Sequence, residues 1–214
     1  MADAEDPAPF EHYYSERPRV PSHRRELRFL YRGEVLSFEA DRGVFGSEGL
    51  DPGTALLIEA LHVGPNDRVL DLGCGWGAIG IAAAKAAVGG RAVLTDVNRR
   101  AVLLARANVR RNHVLNADVR PGSGFDRLAG ERFDLIAMNP PYHVGREFLL
   151  HLLEEVPRHL TEGGRFLMVG KGSHGIRFYQ GWLAAHWAAS VEVPVRGGGY
   201  RVLEARPKLA SLHQ

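Results

Sequence analysis

Arg68-Val69-Leu70-Asp71-Leu72-Gly73-Cys74-Gly75-Trp76-Gly77-Ala78-Ile79-Gly80 is a short apolar strand that runs into three spaced glycines and then into a helical pattern. Glycines there permit backbone angles closed to other residues and let a ligand reach the main chain without meeting a Cβ. Outward from this stretch, short apolar runs alternate with amphipathic ones, the pattern of a parallel sheet with crossover helices. Strands are predicted at Arg68–Leu72, Ala92–Asp96, Val114–Arg120, Phe133–Met138 and Arg165–Val169. Helices are predicted at Gly77–Ala87, Arg99–Val109, Arg146–Leu160 and Ile176–His186, the second capped by Asn98 and the third kinked or broken at Pro157. Val191–Val195 and Tyr200–Ala205 flank Gly197-Gly198-Gly199 and read as a closing antiparallel hairpin. The fold class is α/β, a doubly wound, mostly parallel sheet.

Before this core, Leu27, Phe29 and Tyr31 alternate with polar neighbours, Arg32-Gly33 turns, and Val35–Glu39 is extended again, which predicts an N-terminal β-hairpin extension. Asp51 then Pro52 makes a cap and a first-turn proline for a helix through Leu61. Residues 1–42 are expected to form an arm and hairpin, 43–207 one enzymatic domain and 208–214 a tail. A chain of 214 residues is long enough for one core. Its 45% apolar and 24% charged content excludes wholesale disorder and fibrous repeats. The longest apolar run, Ile79–Val88, is broken by Lys85 and falls far short of the roughly 20 residues that span a bilayer. MADAEDPAPF has no basic, apolar export pattern, so a cytoplasmic location is expected. Cys74, the lone cysteine, makes neither an internal disulfide nor a thiolate zinc site, and no metal is expected. A net charge of +2 does not mark the whole molecule as a nucleic-acid binder, although nearly all its positive charge is arginine.

Asp96, at the end of the second core strand, is placed to accept hydrogen bonds from ribose hydroxyls. With Gly73, Gly75, Gly77 and the adjoining Val97, it implies an adenosine-type ligand. Gly75-x-Gly77-x-x-Gly80 also satisfies the dinucleotide fingerprint, so the loop alone leaves a nicotinamide dehydrogenase open. Asp71 argues against that reading: a carboxylate beside the glycine turn repels a pyrophosphate and attracts an ammonium or sulfonium group. S-adenosyl-L-methionine carries both. The plainer alternative is that Asp71 caps the turn and the glycines only pack a helix on the sheet.

The fourth core strand stops at Asn139-Pro140-Pro141-Tyr142. Two prolines fix the backbone and remove two N–H donors, so nearby carbonyls are left to accept bonds from elsewhere. The Asn139 side chain and the Pro140 carbonyl suit the two N–H groups of an exocyclic amine, and Tyr142 suits stacking on its planar ring, with Pro141 beside it. The plainer reading is a rigid turn with a core tyrosine. Lys171, in Lys171-Gly172-Ser173-His174-Gly175, lies on the same sheet edge and is a candidate base reader. Arg17, Arg19, His23, Arg24, Arg25, Arg28 and Arg32 give the arm a local basic excess, and Arg24 and Arg25 are candidate RNA contacts; a solvated tail is the alternative.

On Asp71–Gly77, Asp96 and Asn139–Tyr142, the chain resembles class I S-adenosylmethionine-dependent methyltransferases that modify amines. His12–Pro18, Gly43–Thr54, Asn139–His143 and Gly198–Pro207 look, more narrowly, like RsmC-like proteins, guanine-N2 methyltransferases of small-subunit ribosomal RNA. The resemblance implies a Rossmann-like, seven-stranded sheet with an antiparallel last strand, cofactor contacts at Asp71, Gly73, Gly75 and Asp96, and the target amine at Asn139–Tyr142. It also implies ribosomal RNA or the small ribosomal subunit as partner. Family members are typically tandems of two such domains, often with Phe at the position of Tyr142, and with an acid where this chain has Ser123. Adenine-N6 and protein glutamine-N5 methylation stay open, as does a non-catalytic RNA-binding module.

Overall fold

The computed structural model describes residues 16, 18 and 20–208. Most of the predicted arm, including Arg17, Arg19 and nearly all of the His12–Pro18 match, lies outside the described residues, as does the tail beyond Lys208. The elements are β1 (Arg25–Tyr31), β2 (Glu34–Ala40), α1 (Pro52–Glu59), β3 (Arg68–Leu72), α2 (Ala78–Ala86), β4 (Arg91–Asp96), α3 (Arg99–Arg111), β5 (Ala117–Pro121) and β6 (Phe133–Met138). They continue with α4 (Arg146–Glu155), β7 (Leu160–Lys171), α5 (Ile176–His186), β8 (Ala188–Glu192), β9 (Arg196–Gly197) and β10 (Tyr200–Pro207).

The main sheet runs β5-β4-β3-β6-β7-β10-β8, with the two-residue β9 beside β10. β5 through β7 are parallel, and β10 is antiparallel to both β7 and β8. This is the expected doubly wound, mostly parallel architecture. One face packs against α1, α2, α3 and the hairpin around Leu57, Ile81, Leu94 and Phe38. The other packs against α4 and α5 around Ile136, Phe166, Leu153 and Leu183. Chain order reverses between β3 and β6, and the crevice outside such strand ends is where open α/β sheets bind ligands.

Three element boundaries differ from the expectation for identifiable reasons. Val114 closes the end of α3, its N–H on Val109 O, so β5 begins only at Ala117. α4 stops at Glu155 and Pro157 sits in a 3-10 turn, Val156–His159, after which β7 starts at Leu160 rather than Arg165. In the closing hairpin, Pro194 lacks the N–H that a ladder needs. The predicted Val191–Val195 strand therefore stops at Glu192, within β8, which starts at Ala188 and pairs with residues 204–207, and the short β9 beyond the predicted span pairs with Tyr200 and Arg201. Gly198 and Gly199, both at positive φ, make the two-residue turn between β9 and β10.

The hairpin β1–β2 is fastened to α3 by two asparagine side chains. Asn108 accepts from Glu39 N at 2.7 Å and donates to Glu39 O at 2.9 Å; Asn112 accepts from Ser37 N at 2.9 Å and donates to Ser37 O at 2.7 Å. Four residues of helix advance about 6 Å. Two residues of strand advance about 6.6 Å. Side-chain amides spaced i, i+4 thus satisfy alternate backbone groups along one edge of β2, where a further strand would otherwise pair. Asn108 also donates to Trp76 O at 2.8 Å, which ties the hairpin to the glycine loop. Among the described residues, no helix is long and apolar enough to cross a membrane.

Candidate active site

Register brings the two sequence motifs together. Asp71 in β3 pairs with Ala137 in β6, so Gly73 and Asn139, each two residues further on, emerge from neighbouring strand ends. Between them opens a cleft of about 700 Å³, lined by Gly73, Gly75, Asp96, Asn139, Pro140, Pro141 and Tyr142 from the predicted set, and by Phe45, Asp51, Thr54, His174 and Tyr200, among others.

The glycine loop is anchored from below. Gly73 N–H and Cys74 N–H both reach Thr95 O at 2.9 Å, and Gly75 N–H reaches Asp96 Oδ2 at 2.8 Å. Gly73 takes φ 79°, and a Cβ built there would meet no protein atom within 4 Å, because it would project into the open cleft. This bare shelf beside the Asp96 carboxylate fits a nucleoside with a cationic tail. Asp96 Oδ1 also accepts from Asn98 N at 2.8 Å, and burial pushes its carboxyl up to about 6, partly opposed by the Asn98 and Gly75 N–H bonds. Asn98 caps α3 as predicted, accepting from Arg100 N at 2.9 Å, and holds Gly43 O at 2.7 Å.

Asp71 is placed otherwise than expected. It is fully buried beneath the loop instead of lining the cleft, with Oδ2 accepting from Gly80 N at 2.8 Å and Oδ1 without a protein partner. Its side chain points into the sheet–helix interface because β3 is covered on both faces, so it fastens the start of α2 and meets a ligand only through its field. Burial is the main cause that pushes its carboxyl up to about 7. Gly77 is the left-handed residue that opens α2 and packs against Ala105, Ile81 and Leu94, away from the cleft. Val97 borders a neighbouring depression with Pro121 and Ser123. Cys74 is buried, and burial pushes its thiol up, which leaves it a poor nucleophile.

At the other wall, Asn139 Nδ2 donates to Thr54 Oγ1 at 2.9 Å and Asp51 Oδ2 at 3.2 Å. Its nitrogen is thereby committed to α1, which leaves Oδ1 as the acceptor for the cleft. Asp51 simultaneously caps α1 through Thr54 N at 2.9 Å. In sequence Asp51 is legible only as a helix cap, signalled by the proline after it, and nothing local points to Asn139.

Pro140 O is less free than expected, since it accepts from Tyr142 N at 2.9 Å across a tight turn centred on Pro141 (φ −77°, ψ 77°). One lone pair remains. Tyr142 is held at both ends: its hydroxyl donates to Val169 O at 2.8 Å and its ring stacks on His174 at 4.9 Å. Burial raises its phenol further, so it stays neutral. Lys171 stands behind the cleft wall, with Nζ 5.6 Å from the centre of the Tyr200 ring. Arg24 pairs with Glu39 at 3.4 Å, and neither Arg24 nor Arg25 lines this cleft.

Comparison with known proteins agrees with this geometry. A model of the methyltransferase small domain family matches residues 35–204. An uncharacterized protein of Bacillus subtilis (strain 168), YbxB, is 32% identical over 77% of this chain and 83% of its own length. Ribosomal RNA small subunit methyltransferase C of Escherichia coli (strain K12 / DH10B) is 36% identical over 65% of this chain, which spans only 41% of that protein. The structure of the Thermus thermophilus 16S rRNA N2 G1207 methyltransferase (RsmC), in complex with AdoMet and guanosine, superposes with a TM-score of 0.75 at 27% identity, covering 89% of this chain and 52% of that one. The chain belongs to the methyltransferase small domain family and is a class I, S-adenosylmethionine-dependent methyltransferase.

Proposed function

We propose that the chain methylates an exocyclic amine of RNA, the N2 of a guanine in small-subunit ribosomal RNA. The observation that carries this reading is the orientation of Asn139: Asp51 and Thr54 take its nitrogen, so an acceptor faces the cleft opposite the Gly73 shelf. S-adenosylmethionine, when bound, supplies an electrophilic methyl group. Gly73, Gly75 and Asp96 hold it, and Asp96, joined by Asp71 where that buried carboxyl is ionised, gives the floor beneath it negative potential.

An amine conjugated to a purine is a poor nucleophile because its lone pair is delocalised into the ring. Asn139 Oδ1 and the remaining lone pair of Pro140 O accept its two N–H groups and favour a pyramidal nitrogen. Tyr142, its hydroxyl anchored and one face against His174, offers a fixed surface to the base edge, a type of contact worth about 1 to 3 kcal/mol per base. The nitrogen becomes acidic only as the methyl arrives, so its proton leaves to water or these acceptors without a strong base. Most of the acceleration then comes from positioning.

The likeness to the guanine-N2 enzymes supports guanine over adenine or a glutamine amide, which the same acceptors also suit. The test supplies tritiated S-adenosylmethionine with ribosomal RNA, assembled small subunits and total protein, followed by nucleoside mass spectrometry. N2-methylguanosine is the expected product. Label in N6-methyladenosine or in protein rejects the assignment.

A further inference from the structure

Beside the cleft, which Arg146 lines, lies a group of cations that the methyl-transfer reading does not use. Arg196 in β9 and Arg201 in β10 are directly opposite each other across the hairpin, so their side chains leave on the same face. Like charges so placed destabilise a hairpin. Arg201 is also opposite Gly170 of β7, and a Cβ at Gly170 would run into the Tyr142 hydroxyl, so this face is the one that carries Tyr142. Next to it, the exposed Arg146, a cleft residue at the start of α4, holds its guanidinium 4.4 Å from the ring centre of Phe178 in α5, itself 41% exposed. Arg177 is exposed at the start of α5, whereas Lys171, one residue after Gly170, turns to the opposite face over Tyr200.

Among the described residues, no carboxylate forms an ion pair with Arg146, Arg177, Arg196 or Arg201. Elsewhere several exposed arginines are neutralised, Arg28 with Glu26, Arg91 with Asp118, Arg158 with Glu155 and Arg206 with Glu204, while others, Arg25, Arg110 and Arg127 among them, also form no ion pair among the described residues but are scattered rather than grouped beside the cleft. Four cations without a carboxylate partner beside the cleft, two of them forced together by strand register, suit an anion that brings several charges in a row. The exposed Phe178, already stacked under a guanidinium, adds a surface for a planar group.

We infer that this rim, Arg146, Arg177, Phe178, Arg196 and Arg201, is the docking surface for the single-stranded RNA that flanks the target base. The guanidinium groups of Arg196 and Arg201 take successive phosphates, and the Arg146–Phe178 pair stacks a neighbouring base. This rests on the RNA reading of the substrate. It locates RNA contacts on the β9–β10 hairpin and the start of α5.

The test measures binding of a short fluorescein-labelled single-stranded RNA with one central guanine to the full chain, by anisotropy across a salt series. Variants are the double substitution Arg196→Gln/Arg201→Gln, the single Phe178→Ala, and Arg158→Gln as a surface control. The double variant is expected to weaken binding at least tenfold at low salt and to flatten the log–log salt slope by about 1.4, at about 0.7 per phosphate released. Phe178→Ala is expected to weaken binding with the slope unchanged. S-adenosylmethionine affinity and the melting temperature are expected to hold or, for the double variant, the latter to rise as repulsion is relieved. Binding and slope equal to those of Arg158→Gln overturn the proposal, as does displacement of the RNA by an acidic peptide at comparable concentration. RNA that binds through this rim but is never methylated overturns the proposed substrate and leaves the docking surface standing.

Discussion

The side-chain nitrogen of Asn139 and the carboxylate of Asp51, 88 positions apart in sequence, are 3.2 Å apart in the fold. An aspartate accepts and never donates when ionised, so it dictates which end of the Asn139 amide faces the cleft. Asp51→Asn retains the helix cap, because asparagine caps as well as aspartate, but it no longer dictates the amide orientation. We expect kcat to fall about tenfold, the cost of roughly one hydrogen bond, with the melting temperature and S-adenosylmethionine affinity nearly unchanged. Thr54→Val should act alike and Thr54→Ser should restore the rate. Asn139→Ala, which removes the acceptor itself, should cost about a hundredfold or more. Single-turnover kinetics separates these effects from binding, and full activity in Asn139→Ala would remove the amine from this site.

Gly73→Ala probes the shelf. A side chain at φ 79° carries a backbone cost of about 1 to 2 kcal/mol, while the added methyl meets no protein atom. The variant should fold with a modest loss of stability and bind S-adenosylmethionine at least tenfold more weakly by calorimetry. Unchanged affinity would mean that the ligand does not approach the loop backbone.

Asp71 links stability to pH. Its folded-state value, about 7, lies above its ordinary value of 3.8, so the folded chain holds this proton more tightly than the unfolded chain does. The stabilisation is complete below about pH 4 and is lost as pH rises toward 7. Asp71→Asn carries no such dependence and can still accept from Gly80 N. The difference in melting temperature between Asp71→Asn and the parent should therefore move in favour of the variant between pH 4 and 7 and level off above. A difference constant over that range would place an ordinary carboxylate at Asp71.

Asn108→Ala tests the fastening of the hairpin. It deprives the part-buried Glu39 N and Glu39 O and the buried Trp76 O of partners, a loss of about 2 to 4 kcal/mol by the usual cost of orphaned backbone groups. Thermal denaturation should show that drop, and amide exchange should speed first along β2. Exchange unchanged in β2 would show that packing alone holds the hairpin.

The chain's own letters specified the alternation of strands and helices, the glycine turn after β3, the acid ending β4 and the proline-stiffened end of β6. Each of these is written in neighbouring residues: periodicity selects helix or strand, glycine opens positive φ, proline removes a donor. Asn98 and Asp51 were legible as caps for the same reason. The contacts between those pieces were not. Asp71 turns inward because both faces of β3 are covered, Asn139 is oriented by a helix far upstream, two asparagines of α3 serve β2, and Pro194 separates β8 from β9, where Arg196 faces Arg201. Such pairings depend on strand register and on which buried polar groups find partners, and both are fixed only when distant segments pack together.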